Sequence, residues 1–165
     1  VESAVGLMEG YAATRGVRFT TRHLQTTPPI LVDVAKLRQI TINLLSNALK
    51  YSREDKQITI SVRVQGGKLK LSVGDKGIGI ATGEHGKIFD KFYRAGDELT
   101  RKTKGSGLGL AIVKQILDIH KAQIKANSKL NEGTEMVITF PKGNGKPRGP
   151  ALPDGGPPGE EENNA

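Results

Sequence analysis

Apolar residues recur along the chain at two spacings, and these spacings separate predicted helices from predicted strands. A spacing of three to four residues predicts three amphipathic helices, at residues 1–12, 33–51 and 108–120. Alternation of apolar and polar residues predicts five strands, at residues 17–24, 58–64, 69–73, 123–127 and 134–140. Gly66-Gly67 is typical of a hairpin turn between the second and third strands. These elements predict an α+β fold, a two-layer α/β sandwich whose mixed, mostly antiparallel sheet is covered on one face by three helices.

The second and third helices are expected to supply much of the core. Asp33 is a candidate N-cap for the second helix. The apolar face of this helix is predicted to contain Val34, Leu37, Ile40, Leu44, Leu45 and Ala48. The third helix is predicted to direct Ile112, Val113, Ile116 and Leu117 inward.

Two stretches lack either spacing. Residues 81–104 are irregular and charged, and a loop of this length in a compact domain usually has a function. Residues 142–165 contain five of the eight prolines and six glycines but few apolar residues. Such a segment buries too little surface to offset its ordering entropy. We therefore predict one domain at residues 1–141, followed by a disordered tail at residues 142–165.

Composition narrows the class of protein. The net charge is +8, but the basic residues form no long block, and those between residues 87 and 104 suit a polyphosphate better than a duplex. No apolar run approaches the roughly 20 residues of a membrane span, and cysteine is absent. We expect a soluble, cytoplasmic domain that binds neither nucleic acid nor membrane directly. Because the sequence opens at Val1 inside a helical pattern, we also expect it to be excised from a longer protein.

Three polar residues share one edge of the second helix. Asn43, Asn47 and Lys50 fall within about 60° of one another, beside the apolar face. An ordinary solvated stripe would explain this pattern by itself. The glycine-rich turns that follow along the chain favour a binding site instead.

The first of these turns is Asp75-Lys76-Gly77-Ile78-Gly79, at the end of a predicted strand. A poorly hydrated carboxylate at Asp75 needs a hydrogen-bond donor. The exocyclic amine of adenine would supply one, whereas guanine presents a carbonyl at that position. A turn-capping aspartate is the simpler alternative.

The second turn, Gly105-Ser106-Gly107-Leu108-Gly109, precedes the third helix. Glycines let the backbone approach phosphate oxygens, and a helix N-terminus adds N–H donors with a favourable dipole. The turn does not follow a strand in a βαβ unit, so a dinucleotide site is not indicated. Nor does the chain contain a P-loop sequence.

These blocks resemble the ATP-binding catalytic domain of sensor histidine kinases, in the gyrase, chaperone, histidine kinase and MutL superfamily (the Bergerat fold). Residues 43–51 are similar to the N box and 75–80 to the first glycine box. Residues 88–94 are similar to the F box, and 105–110 to the second glycine box. Gly133-Thr134 is similar to the small turn before the last strand. The resemblance extends from about residue 1 to Pro141.

The resemblance implies that the domain binds Mg-ATP and donates the γ-phosphoryl group to a histidine. Asn43 would coordinate Mg2+, Asn47 would support the metal and phosphate site, Lys50 would reach phosphate, and Tyr51 would pack along the adenine. Asp75 would accept from the adenine amine, with Gly77, Gly79 and Ile80 forming the base pocket. Gly105, Gly107, Leu108 and Gly109 would bind the phosphates, and Thr134 would contact the base through water. Arg94 and Lys104, at the two ends of the ATP lid, would neutralise the γ-phosphate.

The resemblance also implies partners. The acceptor histidine would lie on a dimerisation and phosphoacceptor domain that this chain lacks, with a response regulator downstream. The fragment is therefore expected to be monomeric and unable to phosphorylate itself. Hydrolytic superfamily members carry glutamate at the position of Asn43, and an amide cannot act as a general base. We therefore expect phosphoryl donation, with a protein-serine kinase or a nucleotide-binding regulatory module as alternatives.

The three histidines are not expected to be catalytic. His23 lies in His23-Leu24-Gln25-Thr26-Thr27-Pro28, which resembles an acceptor box but lacks its acidic neighbour and falls on a predicted strand. His85 is expected at the surface of the lid. His120 is expected to act at the end of the third helix.

Overall fold

The computed structural model describes residues 1–23, 30, 32–52, 57–95 and 105–142. In these ranges the chain forms the three predicted helices and five predicted strands. They are α1 (Glu2–Ala13), β1 (Arg18–His23), α2 (Val34–Tyr51), β2 (Gln57–Gln65), β3 (Lys68–Asp75), α3 (Gly109–Ile119), β4 (Gln123–Lys129) and β5 (Gly133–Phe140). Two short 3-10 turns, Thr82–Glu84 and Lys87–Phe89, lie in the long loop before α3. The predicted tail at residues 142–165 lies, apart from residue 142, outside the described residues and stays a prediction.

The sheet has the strand order β1-β2-β3-β5-β4. β1 pairs with β2 in parallel, and the remaining neighbours are antiparallel, so the prediction of a mixed, mostly antiparallel sheet is confirmed. Gly66 and Gly67 both have positive φ, 60° and 71°. Two such residues make the hairpin turn that matches the right-handed twist of its strands.

The three helices cover one face of the sheet, and the core lies between the two layers. Its largest fully buried side chains come from both layers: Ile40, Leu44, Leu45, Leu49, Val113 and Leu117 from the helices, and Ile58, Ile60, Leu71, Val73, Ile138 and Phe140 from the strands. The other face is polar, and a cavity of about 450 Å³ opens on it, with Thr59, Ser61 and Ser72 in its walls. None of the helices in the described ranges has the length and hydrophobicity needed to cross a lipid bilayer.

The helix faces agree with the prediction except at two positions. Asp33 caps α2 as predicted, because its side chain accepts the backbone N–H of Lys36 at 3.0 Å. Val34 is 80% exposed, since the packed part of that face begins one turn later, at Leu37. Ile112 is 36% exposed, whereas Val113, Ile116 and Leu117 of the same predicted face are buried.

Candidate functional site

The C-terminal end of α2 contacts the first glycine turn through backbone atoms. The N–H of Ile78 donates to the carbonyl of Tyr51 at 3.2 Å. A Cβ on Gly77 would overlap that same carbonyl oxygen. The turn therefore runs directly beneath the last residue of α2, which a larger side chain at position 77 would prevent.

Asp75 ends β3 beside this turn. Its Oδ1 accepts the N–H of Gly77 at 2.7 Å, and the N–H of Thr134 also donates to the carboxylate. Burial raises the pKa of Asp75 above its ordinary value, and the two backbone hydrogen bonds offset this only in part. When ionised, this carboxylate has acceptor capacity beyond the two N–H groups that it already binds.

The other side of the first glycine turn is held by the β4–β5 turn. The N–H of Asn131 donates to the carbonyl of Ile78 at 2.7 Å, and a Cβ on Gly79 would overlap the carbonyl oxygen of Lys129. The N–H of Ile80 donates to Ser128 Oγ at 2.8 Å. The turn that contains Gly77, Gly79 and Ile80, where the base pocket is predicted, is thus held between α2 and the last two strands.

Gly133 brings the last strand against Asp75. Its φ is 104°, and a Cβ there would overlap the carbonyl oxygen of Asp75. Thr134, the next residue, is 9% exposed and pairs in register with Asp75. The small turn before the last strand therefore positions Thr134 beside the carboxylate.

The polar edge of α2 meets the second glycine turn. A Cβ on Gly109 would lie 3.3 Å from Asn43 Oδ1 and 3.9 Å from Asn47 Nδ2. A Cβ on Gly105 would overlap Lys50 Nζ. The three polar side chains of α2 and the N-terminal end of α3 are therefore brought together, which an ordinary solvated stripe does not require.

Lys50 and Tyr51 also contact each other. Lys50 Nζ lies 5.0 Å from the centroid of the Tyr51 ring, within the range of a cation–π interaction. The ammonium group therefore sits between the tyrosine ring and Gly105. This is the position from which it would reach a phosphate at the second glycine turn.

The middle of the long loop contacts the second glycine turn. The N–H of Phe92 donates to the carbonyl of Gly107 at 3.1 Å. Leu108, the N-cap residue of α3, is half-buried, and its N–H lies 3.4 Å from Ser106 Oγ. Arg94 is half-buried just beyond Phe92, whereas the predicted Lys104 lies outside the described residues.

The structure places the three histidines as follows. His23 ends β1, as its sequence context predicts, with its backbone paired to Val62. His85 is half-buried and forms a hydrogen bond with the carbonyl of Ile80 at 3.2 Å. His120 is the C-cap of α3, and its Nδ1 donates to the carbonyl of Ile116 at 2.8 Å while Nε2 accepts the N–H of Asp33 at 3.3 Å. The helix-end role of His120 therefore extends to the start of α2.

Ser128 is a site residue that the sequence prediction missed. Its hydroxyl contacts Ile80, Gly133 and Thr134, each at 2.8 Å. The signal was available in β4, where alternation with Ile124 and Ala126 predicts that Ser128 faces the helices. A serine at an inward position of a strand needs hydrogen-bond partners, and this one has three.

The described residues contain no group of three or more His, Cys, Asp or Glu side chains that could hold a metal ion. The amide oxygen of Asn43 is instead the predicted ligand nearest the N-terminus of α3. Mg2+ takes oxygen ligands, commonly keeps several waters, and is usually bound through one or two carboxylates together with substrate phosphates. Asn43 offers one oxygen ligand for such a site, and waters and phosphates would supply the others.

Known proteins are similar to this chain along most of its length. Residues 32–144 match the family described as histidine kinase-, DNA gyrase B-, and HSP90-like ATPase. The sensor protein RprX of Bacteroides fragilis is 40% identical over 126 residues, which are 75% of this chain and 24% of that protein. The sensor protein kinase WalK of Staphylococcus saprophyticus is 43% identical over 112 residues, 67% of this chain and 18% of that protein. The chain spans about a quarter or less of the length of these relatives.

Solved structures agree. Full-length ShkA in complex with AMPPNP is 28% identical with a TM-score of 0.74, covering 85% of this chain and 28% of that one. The catalytic domain of the histidine kinase ThkA, in a nucleotide-free form, is 26% identical with a TM-score of 0.73 and covers 86% of this chain and 89% of that one. The second match covers nearly all of an isolated catalytic domain, so the predicted fold is confirmed.

Proposed function

Because the chain belongs to the family of histidine kinase-, DNA gyrase B- and HSP90-like ATPases, and its relatives include sensor kinases, we propose that it binds Mg-ATP and donates the γ-phosphoryl group. The acceptor would be a histidine on a separate dimerisation and phosphoacceptor domain of the same sensor protein. A response regulator would then receive the phosphoryl group. We place this domain in the cytoplasm, where ATP is available.

The observation that carries the proposal is the meeting of α2 with both glycine turns. The first turn lies under Tyr51, and the second lies against Asn43, Asn47 and Lys50. One side of this arrangement is suited to a base and the other to phosphates. A nucleotide would therefore span the end of α2 from Asp75 to the N-terminus of α3.

At the base end, Asp75 would accept a hydrogen from the adenine amine. Gly77 and Gly79 would let the turn pack against backbone beside the ring, with Ile80 in the same pocket. Tyr51 would pack along the ring, and Thr134 would contact the base through water or directly. A site built from acceptors rejects a purine that presents a carbonyl at this point, because the oxygens would repel one another. The base end therefore favours ATP over GTP.

At the phosphate end, the backbone of residues 105–109 and the N-terminus of α3 would donate to phosphate oxygens. Lys50 would add a positive charge. Asn43, supported by Asn47, would hold Mg2+, which supplies charge neutralisation on the phosphates. Arg94 and Lys104 would neutralise charge on the γ-phosphate during transfer.

Asn43 also bears on what happens to ATP. Its amide can bind a metal but cannot remove a proton from water. Without a general base at that position, we propose transfer to a protein acceptor in preference to hydrolysis. A superfamily protein-serine kinase and a regulatory module without transfer activity are the two alternatives.

One experiment separates these three functions. The chain is mixed with γ-labelled Mg-ATP and the separately expressed phosphoacceptor domain of its parent protein. Acid-labile phosphate on a histidine of that domain is the expected product, and acid-stable phosphoserine would indicate the serine kinase. Bound nucleotide with neither product would favour the regulatory module.

Matched variants control this experiment. Asn43→Ala is expected to abolish labelling by removing the Mg2+ ligand. Gly83→Ala should label like the wild type, because a Cβ on Gly83 has no heavy atom within 4 Å. Labelling by Asn43→Ala at the wild-type rate would contradict the role of Asn43.

A further inference from the structure

Three polar residues form one row across the last strands of the sheet. Asp75 of β3 pairs in register with Thr134 of β5, and Thr134 pairs with Ser128 of β4. Residues paired in register point to the same face of a sheet. Ser128 therefore stands on the far side of Thr134 from the carboxylate of Asp75.

The hydrogen bonds of Ser128 account for every site on its hydroxyl. A serine hydroxyl donates one hydrogen and accepts two. The carbonyl of Gly133 can only accept, so Ser128 donates to it, and the N–H of Ile80 occupies one acceptor site. The remaining contact, with Thr134 Oγ1 at 2.8 Å, is then an acceptor site of Ser128 that takes the hydrogen of Thr134.

This count fixes the direction of the Thr134 hydroxyl. With its hydrogen committed to Ser128, Thr134 presents lone pairs to the base pocket and no donor. Asp75, when ionised, also presents only acceptors. The two adjacent positions of the row therefore form an edge that accepts from a ligand and does not donate to it.

We infer that Ser128 is a positioning residue that holds Thr134 as a direct hydrogen-bond acceptor for the exocyclic amine of the base, in place of the water-mediated contact that the resemblance implies. An amine has two hydrogens, and the row offers two neighbouring acceptors, Asp75 and Thr134. The ligand class selected is a 6-aminopurine nucleotide. This inference rests on the proposed nucleotide site and assigns Ser128 a part in its base specificity.

The experiment compares ADP with purine riboside diphosphate, which has hydrogen in place of the 6-amino group. Their dissociation constants are measured by calorimetry, and their ratio isolates the contribution of the amine. Thr134→Val is expected to lower the ADP preference about fivefold, the effect of one ordinary hydrogen bond. Ser128→Ala is expected to lower it about threefold, because Thr134 keeps its lone pairs but loses their fixed direction.

Two further variants distinguish positioning from general support of the fold. Ser128→Thr keeps the hydroxyl and should retain the wild-type ratio. Adding Ser128→Ala to Thr134→Val should leave the ratio of the single Thr134 variant unchanged, because Ser128 acts through Thr134. Asn127→Ala, on the opposite face of β4, is the matched control and should keep the wild-type ratio.

The outcomes are distinct. The inference would be overturned if Thr134→Val left the ratio of the two dissociation constants unchanged. It would also be overturned if Ser128→Ala changed this ratio equally in the wild type and in the Thr134→Val variant. If Ser128→Ala does not fold, Thr134→Val decides alone: a lower ratio supports an acceptor at Thr134, and an unchanged ratio rejects it. A wild-type chain that binds neither nucleotide would instead reject the proposed nucleotide site.

Discussion

Replacing Asp75 with asparagine should weaken nucleotide binding while changing how stability depends on pH. The substitution keeps the size of the side chain and one oxygen that can accept from Gly77. It removes the charge and places an N–H group where the carboxylate offered an acceptor. Binding and stability therefore report on the same oxygen in different ways.

The expected loss of affinity follows from the bond that is removed. A hydrogen bond to a charged group contributes about 1.5–3 kcal/mol, which corresponds to a loss of roughly 10- to 150-fold in affinity. Calorimetry with Mg-ADP measures it directly. Asp118→Asn, at an exposed position of α3, is the matched control and should bind as the wild type does. A loss of less than about threefold in Asp75→Asn would refute the pairing of Asp75 with the base amine.

The stability effect has a definite sign. Burial raises the pKa of Asp75 in the folded protein above 3.8, the ordinary value that applies in the unfolded state. Between the unfolded-state pKa and the folded-state pKa, the folded protein therefore binds more protons than the unfolded protein. The free energy of unfolding of the wild type therefore falls as pH rises through this interval. An asparagine side chain does not titrate, so the Asp75→Asn variant should gain stability relative to the wild type over the same interval. Urea unfolding at a series of pH values measures the difference, and a constant difference would refute the raised pKa.

The same titration should appear in binding. Protonation of Asp75 turns one carboxylate oxygen into an O–H donor and weakens the acceptor for the adenine amine. The affinity for ADP should therefore fall as the pH is lowered through the raised pKa of Asp75. Titration of the nucleotide itself also lowers affinity at acid pH. The wild-type curve is therefore compared with that of Asp75→Asn, which should lack the contribution of the carboxylate.

Two further predictions concern the framework of the site. Gly133→Ala should lower the free energy of unfolding by about 2 kcal/mol or more, because its φ of 104° is strained for alanine and the new Cβ would overlap the carbonyl of Asp75. Thermal melts measure this loss, and the control Gly83→Ala, whose Cβ meets open space, should melt near the wild type. His120→Ala removes hydrogen bonds at both ring nitrogens, including the one that accepts the N–H of Asp33. Urea unfolding should show a free energy of unfolding lower by about 1–2 kcal/mol. A loss below about 0.5 kcal/mol would show that the hydrogen bond between α3 and α2 contributes little to stability.

The elements of the fold could be predicted because each is encoded locally. The spacing of apolar residues identified each helix and strand, and Gly66-Gly67 identified the hairpin. The exposure of Val34 and Ile112 could not be obtained in this way. Whether a residue near the edge of an apolar face is buried depends on what packs there, which is a property of the assembled layers.

The candidate site also contains features that have a local sequence signal and features that depend on contacts between distant segments. The sequence predicted Asp75 and Thr134, which stand beside glycines, as site residues, but their pairing depends on two strands that lie far apart in the chain. Ser128 was missed because its importance comes from three partners on different segments. The link from His120 to Asp33 joins positions 87 residues apart and has no local signature.

The glycines of the site have two different roles, which decides how they should be tested. A Cβ would overlap backbone atoms at four of them: Gly77, Gly79, Gly107 and Gly133. Backbone cannot move aside without shifting a strand or a helix end, so substitution there is expected to disturb the fold itself. A loss of activity in such variants would carry no information about phosphate binding.

At Gly105 and Gly109 the nearest atoms belong to the side chains of Lys50 and Asn43. A side chain can rotate away, so alanine at these positions should leave the fold intact while displacing the ammonium group or the amide that we propose contacts phosphate and metal. If Gly105→Ala melts like the wild type and binds ADP more weakly, the weakening is a property of the site. If instead it unfolds, as expected for Gly133→Ala, Gly105 also belongs to the framework, and the role of Lys50 must be tested at Lys50 itself.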